Sequence, residues 1–214
     1  MFISNSKIYK DRIKELPLNT LASSLDFTKS EKASLKRCVS SLKIIGVIDK
    51  DIAEPSDGVE LIYLLEMRLK TDEVPTDFMT AFDKQTKAHT MWEVPWEGEY
   101  VFYEMAKKKI KDGNVSVDTY YATDPDMYEF EIKLKNGETL GDIYANLYSY
   151  VVGLKRRKGE TADDIRERSK RIRDLEKQLD KLERNKKRES QLNKKASINE
   201  QIRAIMHQIE GETN

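Results

Sequence analysis

Apolar and polar positions alternate most regularly over residues 92–134, and this stretch reads as consecutive β-strands around which the chain must pack. Tyr100, Val101, Phe102 and Tyr103 form an unbroken aromatic and apolar run, the pattern of a strand buried on both faces. Val115, Val117, Thr119 and Tyr121 alternate with Ser116, Asp118 and Tyr120. Tyr128, Phe130, Ile132 and Leu134 alternate with Glu129, Glu131 and Lys133, which predicts one dry face and one wet face. Turn residues separate the runs: Glu97-Gly98, Asp112-Gly113-Asn114 and Asp124-Pro125-Asp126.

Upstream, the spacing predicts a short helix over residues 6–16, stopped by Pro17. A second helix opens at Thr28, whose hydroxyl can cap it while Glu31 reaches back in a capping box. Leu35, Cys38, Val39, Leu42 and Ile45 continue one helical face as far as a stop at Gly46. Residues 59–70 hold Leu61, Ile62, Leu64, Leu65, Met67 and Leu69 and read as a buried strand. Pro75 begins a helix reaching Ala88, with Phe78, Met79 and Phe82 on one face. A strand from about Met91 then completes a β-α-β crossover, and the later, closely linked strands are antiparallel neighbours. Residues 140–154 form a helix with Ile143, Leu147, Tyr150 and Val151 on one side.

The last region begins at Thr161. Ile172, Leu175, Leu179 and Leu182 are spaced three, four and three apart, a coiled-coil seam that Ile165 precedes. No apolar residue occurs between Glu183 and Gln191, and Ile198, Ile202, Ile205 and Ile209 then resume out of phase. A turn near Asn185–Glu189 between two antiparallel helices explains the slip. The fold class is therefore α/β (α+β): a body over residues 1–158 with a mixed sheet packed by helices, then a helical hairpin over 159–214.

Composition sharpens this division. The 214 residues are 36% charged and 38% apolar, so part of the chain is extended or solvated. Net charge is zero, yet residues 155–214 carry 18 Lys and Arg against 12 Asp and Glu, and residues 1–154 carry 20 against 26. Such a distribution favours self-association, an acidic partner or nucleic acid. Cys38 is the single cysteine and reads as a small buried hydrophobe, which fits a reducing cytoplasm. The first ten residues have no signal-peptide core, and no apolar run reaches membrane-spanning length.

Candidate chemistry is sparse. A restriction-type nuclease places an acidic residue beside Glu-x-Lys on a neighbouring strand, and Asp118, Glu131 and Lys133 fit that rule by type and spacing. The competing reading makes Glu131 and Lys133 the wet face of an edge strand, and it is preferred. His89 and His207 are far apart in sequence and no Cys/His cluster exists, so no metal or cofactor is expected. No phosphate-binding loop is present. Lys107, Lys108, Lys109 and Lys111, then Lys155, Arg156, Arg157 and Lys158, then Lys186, Lys187 and Arg188 form basic clusters able to contact phosphates. Trp92 and Trp96 are read as core packing rather than base-stacking groups.

Four segments together resemble a known family: residues 27–32 (Phe-Thr-Lys-Ser-Glu-Lys), 62–70, 99–108 and the closing 189–199, Glu-Ser-Gln-Leu-Asn-Lys-Lys-Ala-Ser-Ile-Asn. In order and spacing they resemble the bacterial domain-of-unknown-function family 4391 across nearly the whole chain. The resemblance implies a genomic setting beside superfamily-2 helicases and DNA methyltransferases in restriction and phage-defence loci. It carries over no catalytic residues. The expected function is thus a non-catalytic accessory or scaffold subunit of a DNA-acting defence system, cytoplasmic and homodimeric. Its arm would self-associate or dock through Ile172, Leu175, Leu179, Leu182, Ile198, Ile202, Ile205 and Ile209. A metal-dependent nuclease and a nucleic-acid-binding module are the alternatives.

Overall fold

The computed structural model describes residues 2–3, 14–96, 100–111, 114–123, 131–132, 134–135 and 137–213; for 2–3, 96, 100–103, 106–111, 114, 118 and 131–132 it describes the backbone alone. Contacts divide the chain into two compact units, Met1–Val152 and Gly153–Asn214.

The first unit runs β1 (Phe2–Ile3), β2 (Lys14–Glu15), α1 (Leu18–Ser24), α2 (Lys29–Cys38), β3 (Val39–Ile48), β4 (Ile62–Leu69), α3 (Thr76–Gln85), β5 (His89–Trp96), β6 (Tyr100–Lys111), β7 (Asn114–Ala122), β8 (Glu131–Ile132) and α4 (Leu140–Val151). Strands β2 to β7 form a six-stranded sheet in sequence order. Only β4 and β5 are parallel, joined across α3; the other neighbours are antiparallel. This is the mixed sheet with a β-α-β crossover that the spacing predicts.

Alternation divides the sheet into two faces. One packs against α1, α2 and α3 through Leu35, Leu42, Leu65, Met67, Phe78, Phe82 and Trp92. Trp92 lies 5.3 Å from Phe82 and 6.2 Å from Phe78, centroid to centroid, both edge-on. It is fully buried, a core residue as read from the sequence, while the side chain of Trp96 lies outside the described residues. The opposite face meets α4, where Tyr144 packs at a tilt against His89 and Tyr148 edge-on against Tyr121.

Local chemistry sets the element boundaries. Thr28 and Glu31 form the expected capping box at α2, and Thr139 with Asp142 forms another at α4. Ser56 Oγ donates to Thr139 Oγ1 at 2.7 Å and accepts from Gly141 N at 3.1 Å, fastening the loop before β4 to α4. A Cβ at Gly141 would meet the Ser56 hydroxyl and the Asp57 carboxylate, so a larger residue would have to displace the Ser56 bonds.

Three expectations are corrected. The helix of residues 6–16 does not hold at its end: Lys14 and Glu15 are a strand paired with Ile44 and Lys43, and residues 6–13 lie outside the described residues. The helix through Leu42 and Ile45 ends at Cys38, because the chain turns there into the β-branched run of β3. Gly46 does not stop a helix; it sits mid-strand at a register shift between Ile44 and Gly46. Strand β6 also runs well past Tyr103, carrying Lys107, Lys108, Lys109 and Lys111 within the sheet. Of the strand expected over residues 128–134, only Glu131–Ile132 is described as strand, and it pairs in parallel with β1 in a separate sheet.

The second unit holds α5 (Ala162–Arg188) and α6 (Leu192–Thr213), packed on each other with a three-residue connection. The expected hairpin forms, its turn just past the predicted position.

Candidate functional site

The hairpin arm holds the sequence-predicted binding residues, and its local chemistry is well defined. Thr161 accepts from Asp164 N, and the Asp164 carboxylate accepts from Thr161 N and Oγ1, closing a capping box at the start of α5. Asp163 and Asp164 in the first turn, and Lys186, Lys187 and Arg188 in the last, complement the helix dipole. At the turn, Glu189 Oε1 accepts from Ser190 N and Gln191 N, both at 2.9 Å, and these bonds hold its carboxyl below the usual range.

Packing along the seam is incomplete. Ile165 and Ile172 are buried, but Leu175, Leu179 and Leu182 are only half-buried. Ile198, Ile202, Ile205 and Ile209 are half-buried as well, and no described residue of α6 is buried. Leu192 is 82% exposed and Met206 48%. A groove of about 630 Å³ opens between the helices and reaches Leu175 and Gln208. Two helices give each other one face of cover, which is less than a stripe of this width needs.

The base of the hairpin is clamped by arginines. Arg168, 1% exposed, donates to both carboxylate oxygens of Glu160 at 2.7 and 2.8 Å, to Lys155 O at 2.8 Å and to Glu212 O at 2.7 Å. Arg157 donates to Gly211 O at 2.6 Å, Arg156 to Glu160 O at 2.7 Å, and Arg171 to the Glu212 carboxylate at 2.8 and 3.2 Å. Burial pushes the Glu160 carboxyl up, but the bonds from Arg168 and from Arg157 N outweigh it and leave it below the ordinary range. The cluster at residues 155–158 is therefore split: Arg156 and Arg157 bond to backbone carbonyls of the unit, although Arg157 is exposed as Lys155 and Lys158 are. Lys186, Lys187 and Arg188 are all exposed at the tip.

In the body, the nuclease candidates lie on elements of two sheets as far as they are described. Asp118 lies on β7 of the six-stranded sheet, Glu131 on β8 of the two-stranded one, and Lys133 lies outside the described residues. Among the described residues no group of three or more His, Cys, Asp and Glu is placed to hold a metal ion.

The sheet contains polar centres that the sequence reading did not single out. Asp83, fully buried on α3, accepts from Thr90 Oγ1 at 2.6 Å, Tyr120 OH at 2.7 Å and Trp92 Nε1 at 3.2 Å. Burial, then the Asp83 charge, drives the Tyr120 phenol far up. Glu104, opposite Trp92 in register, is buried, its Oε2 makes no hydrogen bond, and burial raises its carboxyl to about 7. On the other face Lys43, Glu66 and Glu93 stand in register across three strands. Arg68 donates to Glu66 at 2.8 and 3.3 Å, and burial, then Glu66, raises the Glu93 carboxyl. For the strand positions the signal was present: Glu66, Glu93 and Glu104 each stand between two apolar or aromatic residues, whereas Asp83, followed by Lys84, gives none. Asp83 ties α3 to β5 and β7 through its bonds to Thr90, Trp92 and Tyr120.

The family described as Domain of unknown function (DUF4391) matches residues 8–209. Neither the curated proteins nor the solved structures offer a match.

Proposed function

The chain belongs to the DUF4391 family, and on that premise we propose that it is a non-catalytic accessory or scaffold subunit of a DNA-acting bacterial defence system. It works in the cytoplasm, beside helicase and methyltransferase partners, and its arm docks a second copy of the chain. The observation that supports the docking is α6, a 22-residue helix with no buried residue. Covering a Leu or Ile fully is worth on the order of 1.5–3 kcal/mol, so a half-covered stripe of isoleucines favours a further helical surface. A second hairpin supplies one of the same pattern and closes a four-helix contact. Charge sets its direction. The tip, residues 181–195, carries seven Lys and Arg against two Glu, while the rest of the arm is nearly balanced. Antiparallel pairing keeps the two tips apart, and parallel pairing would crowd them.

Light scattering over a concentration series tests this. The full chain is expected to be a dimer, and the chain ending at Val152 a folded monomer. Leu192→Glu with Met206→Glu alters two exposed side chains and is expected to give a monomer with unchanged helical content. A monomeric full chain, or a double variant that still dimerises, would overturn the self-association.

A further inference from the structure

We propose that the outer face of α5 is a binding ridge for the phosphate backbone of double-stranded DNA. Lys170, Arg173, Lys177, Lys181, Arg184 and Arg188 follow one another at spacings of three and four residues. At 3.6 residues per turn they fall within about 80° of arc, over a length of about 27 Å. The seam residues Ile172, Leu175, Leu179 and Leu182 lie on the opposite side of the helix, so the packing that joins α5 to α6 turns the ridge outward. Lys170, Lys177, Lys181, Arg184 and Arg188 are exposed, and Arg173 is half-buried.

Arg173 aside, the ridge is only loosely paired with its neighbours. Asp174 reaches Lys177 at 3.5 Å and Asp180 reaches Arg184 at 3.8 Å, and all four side chains are more than half exposed. Such pairs hold each other weakly and give way to a denser anion. The contrast with the base of the same unit is informative. There Arg157, Arg168 and Arg171 are engaged by carbonyls and carboxylates at 2.6–2.8 Å. Along the ridge, Lys170, Lys181 and Arg188 have no such bonds among the interactions described, and Lys177 and Arg184 have only the two loose pairs.

The residue types choose the polyanion. The arm, residues 153–214, contains no Phe, Tyr or Trp. Single-stranded nucleic acid is held by aromatic stacking as much as by charge, and this surface has nothing to stack with. Asn185 borders the cations near the tip, but the row itself lies on the outside of a straight helix and is built of cations alone, so binding is chiefly to phosphates. A linear row of cations on a rigid helix matches a regular duplex backbone.

The proposal does not depend on the arm pairing with a second copy. Fluorescence anisotropy of the full-length protein with a labelled 30-base-pair duplex, over a salt series, tests it. Five phosphate contacts give a slope of log K against log salt of about −4.5. Replacing Lys177, Lys181 and Arg184 together by Gln is expected to weaken binding at least tenfold and to flatten the slope by about 2.7. The same replacements at Lys194, Lys195 and Arg203, which are on α6, are expected to change binding less than threefold. A single strand of equal length is expected to bind more weakly than the duplex. Absence of binding, an unchanged slope in the ridge variant, or equal loss from the α6 variant would overturn the proposal. A preference for the single strand, or for an acidic protein over DNA at equal salt, would do the same. Repeating the titration with the Leu192→Glu, Met206→Glu variant separates this result from the fate of the dimer.

Discussion

Glu104 occupies a strand position that faces Trp92 across β5 and β6, where an apolar side chain would suit the core. Burial of its charge, with no hydrogen bond to Oε2, is what raises the carboxyl to about 7 from an ordinary 4.5. The folded state therefore binds the proton more tightly than the unfolded chain does. Its contribution is fully present below the ordinary value and is lost as pH rises through about 7. The difference is on the order of 3 kcal/mol. Glu104→Gln removes the charge and keeps the shape. Urea unfolding is expected to show the variant more stable than the parent at pH 8 and close to it at pH 5. Equal stabilities at pH 8 would show that the carboxylate finds compensation in the fold.

Elements were legible where a local chemical device announces them. The Thr28–Glu31 box was readable from four residues, and both of its bonds form. The slip of the apolar phase after Leu182 gave the hairpin its turn, although the helix runs on to Arg188. The passage from α2 to β3 was not legible. Leu35, Cys38, Val39 and Leu42 satisfy a helical period, and five β-branched residues between Val39 and Ile48 outweigh it only because β4 lies alongside. The same limit applies to the arginine clamp. Nothing in the spacing of Lys155, Arg156, Arg157 and Lys158 distinguishes a residue that holds a helix end from one that meets a phosphate. Three-dimensional return of α6 to the base decides it, and Arg168 is its centre. Arg168→Ala leaves Glu160 and two carbonyls without their main donor, which is expected to destabilise the arm by about 3–5 kcal/mol. Amide exchange along α5 and α6 would report this, and protection equal to the parent would contradict it. Because Glu160 is held below its ordinary range, its contribution is present above that range and is lost as pH falls through it, opposite in sign to Glu104.

At the scale of the molecule, charge and aromatic content divide along the same line as the contacts. Every Trp, Tyr and Phe lies in the first unit, and the basic surplus lies in the second. A sheet core filled by aromatic side chains gives one unit its stability; salt-linked helix ends and half-covered leucines and isoleucines give the other its openness. No described helix is long and apolar enough to cross a membrane. The clamp has a topological consequence. Arg157 and Arg168 fasten the segment leading into α5 to the carbonyls of Gly211 and Glu212, so the first and last residues of the hairpin are side by side. A segment that closes on itself in this way is portable. Spliced through short flexible linkers into an exposed loop of an unrelated carrier, residues 153–214 should fold without prying their host apart, as helical circular dichroism added to an undisturbed carrier melt would reveal.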